Sequence, residues 1–334
     1  MTTEEEAHQG TAAAMKGFKY AIAFLEDTHD DGAEIDLGDG LLSFEASLPK
    51  LVEASELSHW KEWLGSLAWK EVATKRRVIS TRIPTARPNV SDPDNEAALQ
   101  RVVQATRTFA LVRNPNASGD RRAIHGRALD DNAKGQLGGI QGFAWLNSPL
   151  RPFYATRGFY WDAQKPFGPP KPIVGWRELH EVVRNGLTPL LGVALDSFNE
   201  ALLRRGLEFR IPEFVRAADC VLAVAKHEGK TGFAQKAMRI APELARSPML
   251  AGIDIPAFLI ELYERRSDCV HGRIPFEDLQ TQGEAGIDRA ARLEYVSEQV
   301  ARSSLLAALR HPHRTAIFAD RRTLEKAWKD GKLP

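Results

Sequence analysis

The chain has 334 residues, 43% of them hydrophobic, which is enough for one large core or two smaller ones. Its 45 basic and 44 acidic side chains leave a net charge of +1. That balance excludes a protein that coats nucleic acid through a broad basic field, so any polyanion contact must be local. The two cysteines, Cys220 and Cys269, have neither metal-ligand spacing nor a disulfide framework, and they read as buried thiols of a reducing compartment. Residues 1–9 are acidic and unlike a signal peptide. No apolar run reaches the roughly 20 residues of a membrane span. The expectation is a soluble, cytoplasmic protein.

Residues 1–15 are polar and are expected to fray. Residues 16–147 read as an N-terminal domain of unassigned role, mostly helical with minor strand content. Within it, residues 17–25 fit a short helix or a strand equally well. Residues 27–40, rich in Asp and Gly, read as a loop. Over 41–72 the pattern is helical, with Leu51, Leu57, Trp60, Trp63, Leu64 and Leu67 on one face. Residues 78–83 fit a strand or an extended connector, and Pro84 and Pro88 bar a helix after them. Ser91-Asp92-Pro93-Asp94 is a start signal for a helix over 95–112, which carries Leu99, Val102, Val103, Thr106, Phe109 and Ala110 on one side. Residues 113–140 read as a long exposed loop or lid. The basic phrase Arg121-Arg122-Ala123-Ile124-His125-Gly126-Arg127 falls there with no apolar helix before it, and Lys75-Arg76-Arg77 reads as solvated surface.

Residues 148–175 are dense in Pro and aromatic side chains and form a connector at a domain boundary. Phe159-Tyr160-Trp161 packs that connector more naturally than it stacks bases. From residue 176 onward the pattern is all helical. One long helix is expected over 178–205, bent at Pro189, followed by helices over 211–226, 232–244, 256–271 and 287–310 and a short one over 323–329. Residues 176–310 thus predict a helical bundle, with 311–334 as a C-terminal extension. The fold class is mainly α.

The chemistry-bearing phrase closes the 256–271 helix: Tyr263-Glu264-Arg265-Arg266-Ser267-Asp268-Cys269-Val270-His271-Gly272. Ile255, Phe258, Leu259, Leu262 and Tyr263 make the apolar stripe facing the bundle. Gly272 suits the left-handed residue just past a helix end. Arg266 and His271, five residues apart, point about 140° apart around an ideal helix, onto neighbouring faces. Elsewhere there is no P-loop, no dinucleotide-binding glycine pattern and no nucleophile elbow. His311-Pro312-His313 is too closely spaced for a metal site and lacks Cys or carboxylate company.

Residues 176–310, about 40% of the chain, resemble a HEPN domain, and in particular the ApeA-like HEPN group. The likeness rests on the closing phrase, which has the form R-S-x-x-V-H-G at Arg266 to Gly272 after Tyr263 and Arg265. It rests also on the helix phrases 209–224 and Gly232-Phe233-Ala234-Gln235-Lys236-Ala237. The resemblance implies a bundle that forms a homodimer and cleaves RNA with no metal and no cofactor, as a toxin or phage-defence effector. It assigns Arg266 and His271 as the catalytic pair; beside them, Tyr263, Arg265, Ser267 and Asp268 are expected to support the pair and Arg273 to contact substrate. Ser267 departs from the Asn, Asp or His that many active members carry after the Arg.

That pairing is chemically sensible. Attack by a ribose 2′-OH needs a base for the entering oxygen, an acid for the leaving one and fixed positive charge beside the phosphorus. Arg offers a planar fork to phosphate, and an imidazole with an ordinary pKa of about 6.5 suits proton transfer. A symmetric dimer would supply two of each. The structural alternative is that His271 caps helix carbonyls while Arg266 pairs with Glu261, Glu264 or Asp268. The chain would then be a non-catalytic HEPN module that binds RNA or protein, or a structural homodimer.

Overall fold

The computed structural model describes residues 34–47, 76–82, 93–112, 175–203, 207–273 and 282–333. It also describes three short strands by their backbone and a few isolated positions. Helix predominates among the described residues, as the composition of the second half led us to expect. The strand content forms one antiparallel sheet in the first half of the chain.

The strands are β1 (Tyr20–Leu25), β2 (Ile35–Gly38), β3 (Leu41–Ala46), β4 (Arg76–Arg82), β5 (Ala123–Arg127) and β6 (Phe153–Tyr154), in the order β2-β3-β4-β1-β5-β6. Three sequence expectations are corrected by this sheet. The loop expected over 27–40 contains β2, and the helix expected from residue 41 begins instead as β3. Their hairpin turns on Asp39 and Gly40, both with positive φ (51° and 71°), the geometry that matches the twist of paired strands. The Asp36 carboxylate accepts the Gly38 N–H at 2.8 Å and braces the turn. The basic phrase ending at Arg127 is a strand rather than a loop over Ala123–Arg127, paired with β1. The apolar face read at Leu51, Trp60, Trp63, Leu64 and Leu67, and the aromatic cluster Phe159-Tyr160-Trp161, lie outside the described residues.

Helix α1 (Pro93–Val112) packs on β1, β4 and β5. It buries Val102, Thr106 and Phe109 as expected, and also Ala105, Thr108 and Leu111. Trp176 completes this core. Its Nε1 donates to the Ala105 carbonyl at 3.2 Å and to Thr108 Oγ1 at 3.1 Å, and its ring lies 4.9 Å from that of Phe109. A buried indole N–H with no partner would be costly, so these bonds fix the ring.

Two compact units divide the chain. The sheet, α1 and the segment from Trp176 to Glu181 belong to one, and the chain from Val182 onward belongs to the other. The single helix expected over 178–205 is two, α2 (Trp176–Arg184) and α3 (Pro189–Leu203). Gly186 at φ 98° closes the first, Thr188 Oγ1 receives the Leu191 N–H at 3.5 Å, and Pro189 opens the second. Pro at the first position of a helix starts it rather than bending it. Then follow α4 (Leu207–Leu222), α5 (Gly229–Ile240), α6 (Ile255–Val270), α7 (Gly283–Arg310), α8 (Arg314–Ile317) and α9 (Arg321–Lys329). Helices α3, α4 and α7 share the bundle core around Leu195, Phe198, Phe214, Val221, Leu293 and Val300. A polar seam crosses it: buried Arg210 pairs with buried Glu294 and donates from Nε to the Ala201 carbonyl at 2.9 Å. No described helix is long and apolar enough to cross a membrane.

Candidate functional site

Helix α6 begins with Asp254, whose carboxylate accepts the Ala257 N–H at 3.2 Å, and with Pro256 in its first turn. Ile255, Phe258, Leu259 and Leu262 are buried, so the spacing that marked the apolar stripe does set the roll of the helix. This roll leaves the polar phrase on the outer side of the last turns.

The helix closes at His271. Gly272, at φ 72°, donates its N–H to the Cys269 carbonyl at 3.1 Å, and Arg273 N–H reaches the Asp268 carbonyl at 2.9 Å. That pair of bonds is a Schellman closure, with Gly272 at the left-handed position assigned to it from sequence. His271 is the cap residue, and its backbone N–H bonds to the Ser267 carbonyl at 3.1 Å. Its side chain is exposed and makes no hydrogen bond among the described residues. The backbone, not the imidazole, therefore does the capping.

The carboxylates around Arg266 are occupied by other cations. Glu261 receives Arg265 Nε at 2.8 Å and also pairs with Arg289 of α7. Burial alone would raise the Glu261 carboxyl. The hydrogen bonds and charges of Arg289 and Arg265 outweigh that and hold it below the ordinary carboxylate value. Glu264 pairs with Lys230 of α5, and Asp268 with Arg273 at 2.9 Å. Among the described residues Arg266 is left with an aromatic contact only. Its guanidinium carbon lies 5.9 Å from the centre of the Tyr263 ring, whose neighbour is Phe233 at 5.0 Å. Its Nε is buried without a hydrogen-bond partner.

Arg266 and His271 thus share one helix end as two cationic or ionisable groups without a carboxylate partner among the described residues. No bond joins them. Arg265 and Asp268 are tied into ion pairs, Tyr263 is the platform under Arg266, and Ser267 offers its carbonyl to the cap. Arg273 is strongly exposed, with 73% of its side chain accessible, though its charge is shared with Asp268. Cys269 is no nucleophile: burial, then the Glu208 and Asp268 charges, push its thiol up to about 11. Lys230, Phe233 and Arg289, which order this site, lie on α5 and α7. No local pattern in the sequence could have joined them to it.

No group of His, Cys, Asp and Glu among the described residues could hold a metal ion. At His311-Pro312-His313, the Nδ1 of His311 accepts the His313 backbone N–H at 3.1 Å, a local turn contact. No protein-family model matches this chain, and no curated protein or solved structure matches it either.

Proposed function

We propose that the chain is a metal-independent endoribonuclease of the HEPN type, with Arg266 and His271 as its catalytic groups. The observation that carries this reading is the charge pairing at the end of α6. Glu261, Glu264 and Asp268 each have another cation, so Arg266 has no carboxylate partner among the described residues. A phosphate would complete that guanidinium by accepting two parallel hydrogen bonds. His271, exposed one turn on, is accessible to a bound strand.

In the reaction, a ribose 2′-OH attacks the adjacent phosphorus as a base takes its proton. The 5′-oxygen leaves with a proton from an acid, giving a 2′,3′-cyclic phosphate and a 5′-hydroxyl. One imidazole cannot serve as base and acid in the same step, so a second copy of the chain supplies the other His271. Val270, 59% exposed beside His271, gives such a pairing an apolar contact.

A second reading has its own support. The Arg266 guanidinium over Tyr263 is also a good packing contact, consistent with a bundle that binds RNA or a partner without cutting. Arg266→Ala separates the two. As a catalytic group its loss removes cleavage of labelled RNA in EDTA while stability falls only slightly, by about 0.5 to 1 kcal/mol for one partly exposed ring contact. A parent protein with no cleavage, together with a large drop in Tm for the variant, favours the packing role.

A further inference from the structure

A cavity of about 750 Å³ lies among α5, α6 and α9, reaching Pro256 and Ile260 on α6 but not the Tyr263–Gly272 phrase at that helix's end. Its size falls within the roughly 300–1,000 Å³ typical of small-molecule sites. Ala234, Met238, Pro256, Ile260 and Trp328 give it apolar walls.

The charged groups of the lining are unevenly matched. The Glu228 carboxylate accepts from the Ala225 N–H at 2.8 Å and from Lys236 Nζ at 2.7 Å. Glu325 accepts from Arg321 Nε at 3.3 Å. Both acids are therefore engaged. Arg239 and Lys329, which also line the cavity, meet no carboxylate among the described residues. Arg239 lies over the Trp328 ring at 5.3 Å and donates to the Leu333 carbonyl at 3.3 Å. Lys329 follows Trp328 and is exposed. Two uncompensated cations thus flank one apolar hollow.

The wall is also held in a conformation that costs energy. Ala223 has φ 46°, a left-handed backbone that a residue with a Cβ seldom adopts. Lys236 Nζ bonds its carbonyl at 3.1 Å, Asp219 accepts the Val224 N–H at 3.1 Å, and Arg321 bonds the Val224 carbonyl at 2.7 Å. Strain maintained by its surroundings is a feature of binding sites.

We propose that this cavity binds a small amphipathic carboxylate, its apolar body against Met238, Ile260 and Trp328 and its carboxylate between Arg239 and Lys329. Calorimetric titration of the full chain with decanoate, below its micelle concentration, tests this with decanol as the uncharged comparison. Decanoate should bind saturably and more tightly than decanol. The double variant Arg239→Gln/Lys329→Gln should weaken decanoate about tenfold while leaving decanol unchanged, the effect expected for lost charge-assisted bonds. Both rim residues are exposed, so the fold should persist, and circular dichroism checks it. Lys326→Gln/Lys332→Gln removes the same charge outside the lining and should leave binding intact. Absence of saturable decanoate binding, equal affinity for decanol, or equal loss in the control variant would overturn the proposal. Ile260→Trp, which fills the hollow, provides an independent arm: binding that survives it also contradicts the assignment.

Discussion

Arg266 differs from its neighbour Arg265 in the company it keeps. Arg265 shares Glu261 with Arg289, whereas Arg266 rests on an aromatic ring. Sequence alone left Glu261, Glu264 and Asp268 open as partners for Arg266. Lys230 and Arg289 from other helices take Glu264 and Glu261, and Arg273, just past the helix end, takes Asp268. Glu261 also yields a pH prediction. Its folded pKa lies below the ordinary value of 4.5, so its contribution to stability is fully present above that value and is lost as pH falls through the depressed one. The Tm difference between the parent and Glu261→Gln should therefore be widest near about pH 7 and shrink toward about pH 3. A difference constant across that range would contradict the pairing.

Helix α6 was the most legible element. Its apolar stripe and its Gly272 stop are local signals, and each acts where the chain places it, while the Asp254 cap at its start was not read from the sequence. Locality also explains the error at residues 178–205, where Gly186, Thr188 and Pro189 form a stop, a cap and a start in close succession. The closure of α6 can be tested directly. A Cβ at Gly272 would meet nothing within 4 Å, so Gly272→Ala suffers from backbone conformation alone. It should cost about 1 to 2 kcal/mol in denaturant unfolding, with Asn at the same position costing less. A neutral Gly272→Ala would mean that the helix end does not depend on the left-handed turn. Because His271 is the residue before that turn, Gly272→Ala should also impair any activity that needs the imidazole in place.

For the whole molecule, the second half announced itself by periodicity, while the sheet of the first half did not. Residues 35–46 pair through an Asp39-Gly40 hairpin, a recognisable turn hidden in a run of Asp and Gly that resembles an ordinary loop. Strand β1 ends at Leu25 and its partner β5 begins at Ala123, so their pairing is a long-range event that alternation within five or six residues cannot reveal. The cavity was invisible for the same reason, since its walls come from segments spread between Ala223 and Lys329. The claim on which the functional account depends is that Arg266 and His271 cut RNA without a metal. Labelled RNA incubated in EDTA with the parent protein and with His271→Ala tests it most directly. Fragments ending in 2′,3′-cyclic phosphate are expected from the parent and none from a variant with unchanged Tm. Intact RNA from a folded, dimeric parent, or equal cleavage by the variant, would contradict it.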